Sequence, residues 1–123
     1  MRWLALSLLI ATPAFAQEIA VPSGLPLTFQ EVILEQETGF ARFRFVSDVL
    51  GEPGWEMPDV AGDFAWLCDK IVLPALDQNG WKADQIVISM ADSAFEFGEV
   101  VPDAVQYFDG FAIVDGACEW VPF

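Results

Sequence analysis

The sequence predicts an α+β fold: a five-stranded antiparallel sheet in the order β-β-α-β-β-β, one helix packed on one sheet face, and one disulfide. Three observations carry that prediction. From Phe40 to Val49 the chain alternates, with Ala41, Phe43 and Phe45 on one face and Arg42, Arg44 and Val46 on the other, which is the period of a half-buried strand. Phe64, Leu67, Cys68, Ile71 and Ala75 recur at helical spacing. Asp115-Gly116 is a two-residue hairpin turn between two β-rich runs. The helix must then cover one sheet face, because neither element can bury its apolar side alone.

Residues 17 to 27 (QEIAVPSGLPL) contain two prolines, a serine and a glycine and read as an extended lead-in. Leu27 to Gln36 alternates loosely and suits a first strand. Glu37-Thr38-Gly39 is a short turn, with Gly where positive φ is needed, so this strand and the 40–49 strand form an antiparallel hairpin. Gly51 to Pro58 is a Gly- and Pro-rich loop with Trp55 in its middle.

A helix follows, with Asp59 or Asp63 as N-cap and acids near its positive end. Pro74 cannot join the helical hydrogen-bond ladder, so a kink or an end is expected near Leu73, and Asn79-Gly80 closes the segment. Gln85 to Ala91 (QIVISMA) is a third strand, with Ile86, Ile88 and Met90 on one face. Ser93 to Pro102 is acidic connecting chain with a short extended piece at Phe95 to Phe97. Residues 105 to 114 form a fourth strand, interrupted at Asp109-Gly110 where Gly points to a bulge. Ala117 to Val121 completes a fifth, which places Cys118 where it can staple the sheet to the helix. No internal repeat or low-complexity tract interrupts this order.

The N-terminus adds a separate layer. Arg2, an apolar run from Trp3 to Ala11, Pro13, and Ala14-Phe15-Ala16 before Gln17 read in order as the three regions of a secretory signal peptide, cut between Ala16 and Gln17. An apolar run of about ten residues falls short of the ~20 that span a bilayer, so no membrane insertion is expected after cleavage. Residues 1–16 are thus expected to be removed, leaving 17–123 as a single disulfide-stapled domain that is periplasmic or secreted. Its remaining four basic residues, Arg42, Arg44, Lys70 and Lys82, against nineteen acids give a net charge of −15. Such a chain repels phosphate backbones and anionic membranes, which disfavours nucleic-acid binding. The full chain, at 54% hydrophobic and 14% aromatic residues, is nevertheless far too apolar for an acidic disordered chain. Cys68 and Cys118 are its only cysteines and, in an oxidising compartment, are expected to be joined.

Chemistry is harder to find. The chain has no His, which removes the commonest general base, the usual Ser-His and Cys-His nucleophiles and the commonest zinc ligand. Ser89 and Ser93 lack a Gly-x-Ser-x-Gly elbow. Carboxylates recur in pairs (Glu52 and Glu56, Asp59 and Asp63, Glu96 and Glu99 with Asp103), but the Asp-x-Asp-x-Asn-Gly calcium pattern is missing. No catalytic, cofactor-binding or metal-ligating residue is therefore nominated. Trp55 and Trp81 fall in loops and Trp66 off the helical stripe, positions where tryptophan either anchors a partner or caps a small core.

With these residues in view, the chain resembles a family of uncharacterised exported proteins from alphaproteobacteria. The resemblance rests on QEIAVPSGLPLTFQEVILE (17–35), ARFRFVSD (41–48), LCDKIVLPAL (67–76), QIVISMAD (85–92), EFG (96–98) and YFDGFAIVDGACEW (107–120). It supports one domain and one disulfide and implies no mechanism. Ala112 stands where a basic residue is expected and Ser93 where Arg is expected. An acetolactate synthase label attached to some such proteins does not suit this chain. That chemistry needs several hundred residues and a Gly-Asp-Gly cofactor motif, and Val114-Asp115-Gly116 is the nearest approach. The expected function is a non-enzymatic binding module that presents an acidic face to a basic periplasmic protein, with Trp55, Trp81, Glu96, Glu99 and Asp103 as its interaction surface. The alternatives are a carboxylate-based hydrolase or carbohydrate binder using Glu96, Glu99, Asp103 and nearby tryptophan, and an inhibitor of a cationic enzyme such as a lysozyme.

Overall fold

A computed structural model describes residues 18–122; the expected leader and Ala16-Gln17 cleavage point lie outside the described residues. The strands are β1 (Glu18–Ala20), β2 (Pro26–Glu35), β3 (Phe40–Val46), β4 (Gln85–Ala91), β5 (Gln106–Val114) and β6 (Ala117–Val121). Between β3 and β4 the helical stretch runs as α1 (Met57–Leu67), a π-helical turn (Cys68–Val72) and α2 (Leu73–Asn79). The result is a small α+β domain.

The sheet has six strands in the order β1-β2-β3-β4-β5-β6 and is mixed, which corrects the five antiparallel strands expected. Every pairing is antiparallel except β3 with β4, which run parallel from Phe40↔Gln85 to Val46↔Ala91. The reason is the helix itself. It consumes one strand length and returns the chain to the end where β3 began, the crossover that a parallel neighbour requires. The sixth strand is the lead-in, where Glu18 to Ala20 pairs with Pro26 to Thr28 across a turn at Val21 to Gly24.

The helix also differs at both points where it was expected to change. Its N-cap is Glu56, whose N–H donates to Asp59 Oδ2 at 2.9 Å in a capping box, rather than Asp59 or Asp63. Pro74 does not end the helical stretch: a wider π-helical turn, Cys68–Val72, lies just before the proline, which sits in the first turn of α2. There its missing N–H and its ring are tolerated. Gly80 closes α2 in the left-handed region at φ 66°.

One sheet face packs on the helix. Ala41, Phe43, Phe45, Ile86, Ile88, Met90 and Phe111 meet Val60, Phe64, Leu67, Val72 and Leu76 in a single core. Cys68, fully buried on the helix, is bonded to Cys118 of β6 with their Cα atoms 6.2 Å apart. The bulge expected at Asp109-Gly110 is not there, since β5 runs in unbroken register with β4 from Gln106 to Phe111. It lies instead in β2, where the register shifts between Phe29 and Glu31. Phe29 and Val32 can both face the core only if one extra residue is absorbed between them.

Both loops that leave the shared end of β3 and β4 meet there. Ser47 N–H donates to Ala91 O at 2.9 Å, and a Cβ on Gly51, at φ 90°, would stand 2.8 Å from Val105 Cγ2. Gly51→Ala is therefore expected to destabilise the domain by about 2 kcal/mol through positive φ and the clash together. The denaturation midpoint should fall at an unchanged m-value.

Candidate functional site

The sheet face away from the helix carries the site. β3 presents Arg42 and Arg44 there, β4 Val87 and Ser89, and β5 Gln106 and Phe108. Two arginines on the outer face of a central strand need cover and counter-charge, and their neighbours supply both. The β2 bulge turns Gln30 and Glu31 together onto this face. Glu31 pairs with Arg44, which is 4% exposed, and Arg42 Nε lies 3.0 Å from Glu35 Oε2. Arg42, followed by the Thr38 hydroxyl at 2.9 Å, holds the Glu35 carboxyl below the usual carboxylate range.

Cover comes from the loop between β4 and β5. The Phe95 carbonyl accepts hydrogen bonds from Arg44 Nη2 at 3.1 Å and Gln30 Nε2 at 3.0 Å. The Arg44 guanidinium stands 5.8 Å from the Phe95 ring centroid and 5.6 Å from Phe97, while Arg42 stands 5.2 Å from Phe97, within cation–π range. The loop's aromatic residues are thus held down on the arginines. Its carboxylates Glu96, Glu99 and Asp103 are all exposed. A tight turn holds the first two, with Glu96 N–H donating to Glu99 Oε1 and Glu99 N–H to Glu96 O, both at 3.0 Å. Between the loop and the sheet lies a cleft of about 370 Å³, lined by both arginines, Ser89, Phe95, Phe97 and Phe108 among others, with Glu99 as its carboxylate.

The tryptophans do not join this loop in one patch. Trp55, Trp66 and Trp81 are half-buried and pack against the core. Trp55 lies in the loop leaving β3 and Trp81 in the loop entering β4, and parallel strands put those two loops at opposite ends of the sheet. Among the described tryptophans Trp120 is the exposed one, at 61%, with its indole N–H donating to Asp109 Oδ1 at 2.6 Å. Trp81 borders a separate shallow cleft lined by Asp77, Lys82 and Asp84. Among the described residues no group of three His, Cys, Asp or Glu side chains comes together as a metal site.

Sequence reasoning placed Arg42 and Arg44 on the outer face but gave them no role, and it missed Phe95, Phe97 and Gln30 as their partners. The legible signal was Arg-x-Arg opposite Phe-x-Phe on one strand: charge on a strand too apolar to be an edge calls for a covering segment. Their internal pairing shapes the surface. Fourteen carboxylates are exposed against two exposed basic side chains, Lys70 and Lys82, among the described residues.

A family model described as a family of unknown function matches residues 6–123. No curated protein and no solved structure matches the chain.

Proposed function

The chain belongs to that family of unknown function (DUF6497), and from its surface we propose that it is a non-enzymatic interaction module presenting an acidic face to a basic protein partner. The observation that carries this reading is the segregation of charge. Both arginines are paired with Glu31, Glu35 and the Phe95 carbonyl, while Glu96, Glu99 and Asp103 stand exposed on the loop that those contacts tie to the sheet. A pre-ordered set of carboxylates loses less entropy on binding than a mobile one. The neighbouring loop adds Asp48, Glu52 and Glu56, all exposed, beside the half-buried Trp55. The same reading has the leader removed and the domain working in the periplasm or outside the cell; the Cys68–Cys118 bond fits an oxidising compartment.

A lysozyme serves as the basic probe. Its affinity for the domain is expected to fall roughly tenfold between low and physiological ionic strength, as screening shortens the reach of surface charge. The triple variant Glu96→Gln, Glu99→Gln, Asp103→Asn should weaken binding and flatten that salt dependence, whereas Glu37→Gln, in the turn after β2 at the other end of the sheet, should not. Binding that ignores salt or the triple variant would refute the proposal. Loss of lysozyme turnover in the complex would make the module an inhibitor of its partner.

A further inference from the structure

We propose that the cleft beneath the acidic loop is a binding site for a small monocarboxylate with a compact apolar or aromatic body. This goes beyond the acidic-face reading and does not depend on it. At about 370 Å³ the cleft falls within the ~300–1,000 Å³ range of small-molecule sites and, as such sites usually do, combines apolar walls with a few polar groups.

Both arginines line the cleft, each paired at its side with a carboxylate of β2. Arg44 has 5% of its side chain exposed and its partner Glu31 41%. Arg44 is thus a fixed cation in the lining, with Nη1 on Glu31 and Nη2 on the Phe95 carbonyl, while Glu31 reaches toward solvent. A guanidinium carries five N–H donors in a planar fork. Arg42 engages Glu35 through Nε, and its fork geometry suits two-point contact with a carboxylate. Ser89 adds a hydroxyl to the floor. Glu99, the carboxylate of the lining, disfavours a second negative charge on the ligand, so a monoanion is preferred to a phosphate dianion.

The apolar walls point the same way. Phe97 is 50% exposed and Phe108 44%, two large rings left partly in water along the lining of one cleft. A ligand body seated between them would bury that area, and the two arginines already hold Phe97 in place from below.

The test uses the oxidised full-length mature domain and phenylacetate, followed by calorimetry and by amide chemical shifts. Phenylacetate is expected to bind saturably at one site, shifting resonances of Ser89 and of residues 95–99. Phenylacetamide, which is isosteric but neutral, and phenyl phosphate should each bind at least about tenfold more weakly. Arg42→Gln should reduce phenylacetate affinity about tenfold. Phe97→Ala, at an exposed position, should also weaken it, which keeps the test usable if the arginine variant fails to fold. The proposal is overturned if phenylacetate does not saturate, if the amide binds equally well, or if a folded Arg42→Gln protein binds as before. Lysozyme binding is measured in parallel, and its survival in any of those cases leaves the acidic-face reading standing.

Discussion

Reducing the Cys68–Cys118 bond, or replacing both residues by serine, is expected to destabilise the domain by about 4 kcal/mol, the loop-closure entropy for the 50-residue separation that the bond spans. For a domain near 100 residues, each kcal/mol shifts Tm by roughly 4–8 °C, so a fall of about 20 °C is anticipated. The bond joins the helical stretch to β6, the edge strand of the sheet, which among the described strands pairs with β5 alone. Loss of the link should therefore loosen β6 before the remainder unfolds, and hydrogen exchange should show protection lost first at Ala117–Val121. Serine at position 68 would also bury a hydroxyl at a fully enclosed site, so the reduced wild type is the cleaner measurement. Equal denaturant midpoints with and without reductant would contradict the expectation.

Asp63→Ala is expected to cost about 3 kcal/mol, the next largest effect. Asp63 is 1% exposed on α1, and its carboxylate accepts the Ser23 N–H at 3.0 Å and the Ser23 hydroxyl at 2.5 Å. That hydroxyl in turn accepts the Leu25 N–H at 3.1 Å. One buried carboxylate thus fixes the turn between β1 and β2 against the helix. Hydrogen bonds to a charged group contribute about 1.5–3 kcal/mol, and removing the acceptor leaves partly buried donors unmet. Asp63→Asn retains one acceptor oxygen and should lie between wild type and Asp63→Ala. Ser23→Ala combined with Asp63→Ala should destabilise by clearly less than the sum of the two single effects. Strict additivity in that cycle would show that the pair is not a unit.

Asp63 also shows how far local reading reaches. It precedes an apolar run, as an N-cap does, yet it shares its helix face with Val60, Phe64 and Leu67, so the same spacing that marked the stripe marked this acid as buried. Preference at a helix start is a weak local bias of about 1 kcal/mol, whereas its place on the stripe is imposed by the packed core. The Asp109-Gly110 bulge failed for a comparable reason. Glycine is compatible with a bulge without requiring one, and the requirement arose in β2, where Phe29 and Val32 both had to reach the core.

The candidate site was legible in halves. The acidity and exposure of Glu96, Glu99 and Asp103 follow from composition and from the lack of periodicity in that loop. That Phe95 and Phe97 fold back onto Arg42 and Arg44, about fifty residues earlier in the chain, does not, because loop placement depends on contacts with a partner strand that no local pattern names.

By itself the sequence determined which residues line the core face of β3 and β4, that β5 and β6 join at Asp115-Gly116, and that the chain has two cysteines to pair. These are properties of a strand or turn relative to its own backbone, decided within a few residues. Only the tertiary structure decided that β3 and β4 run parallel, that the lead-in adds a sixth strand, and that the arginines turn inward while the carboxylates turn outward. Each of those compares the free energies of whole arrangements of distant segments, and alternation along one strand is the same whichever neighbour it meets.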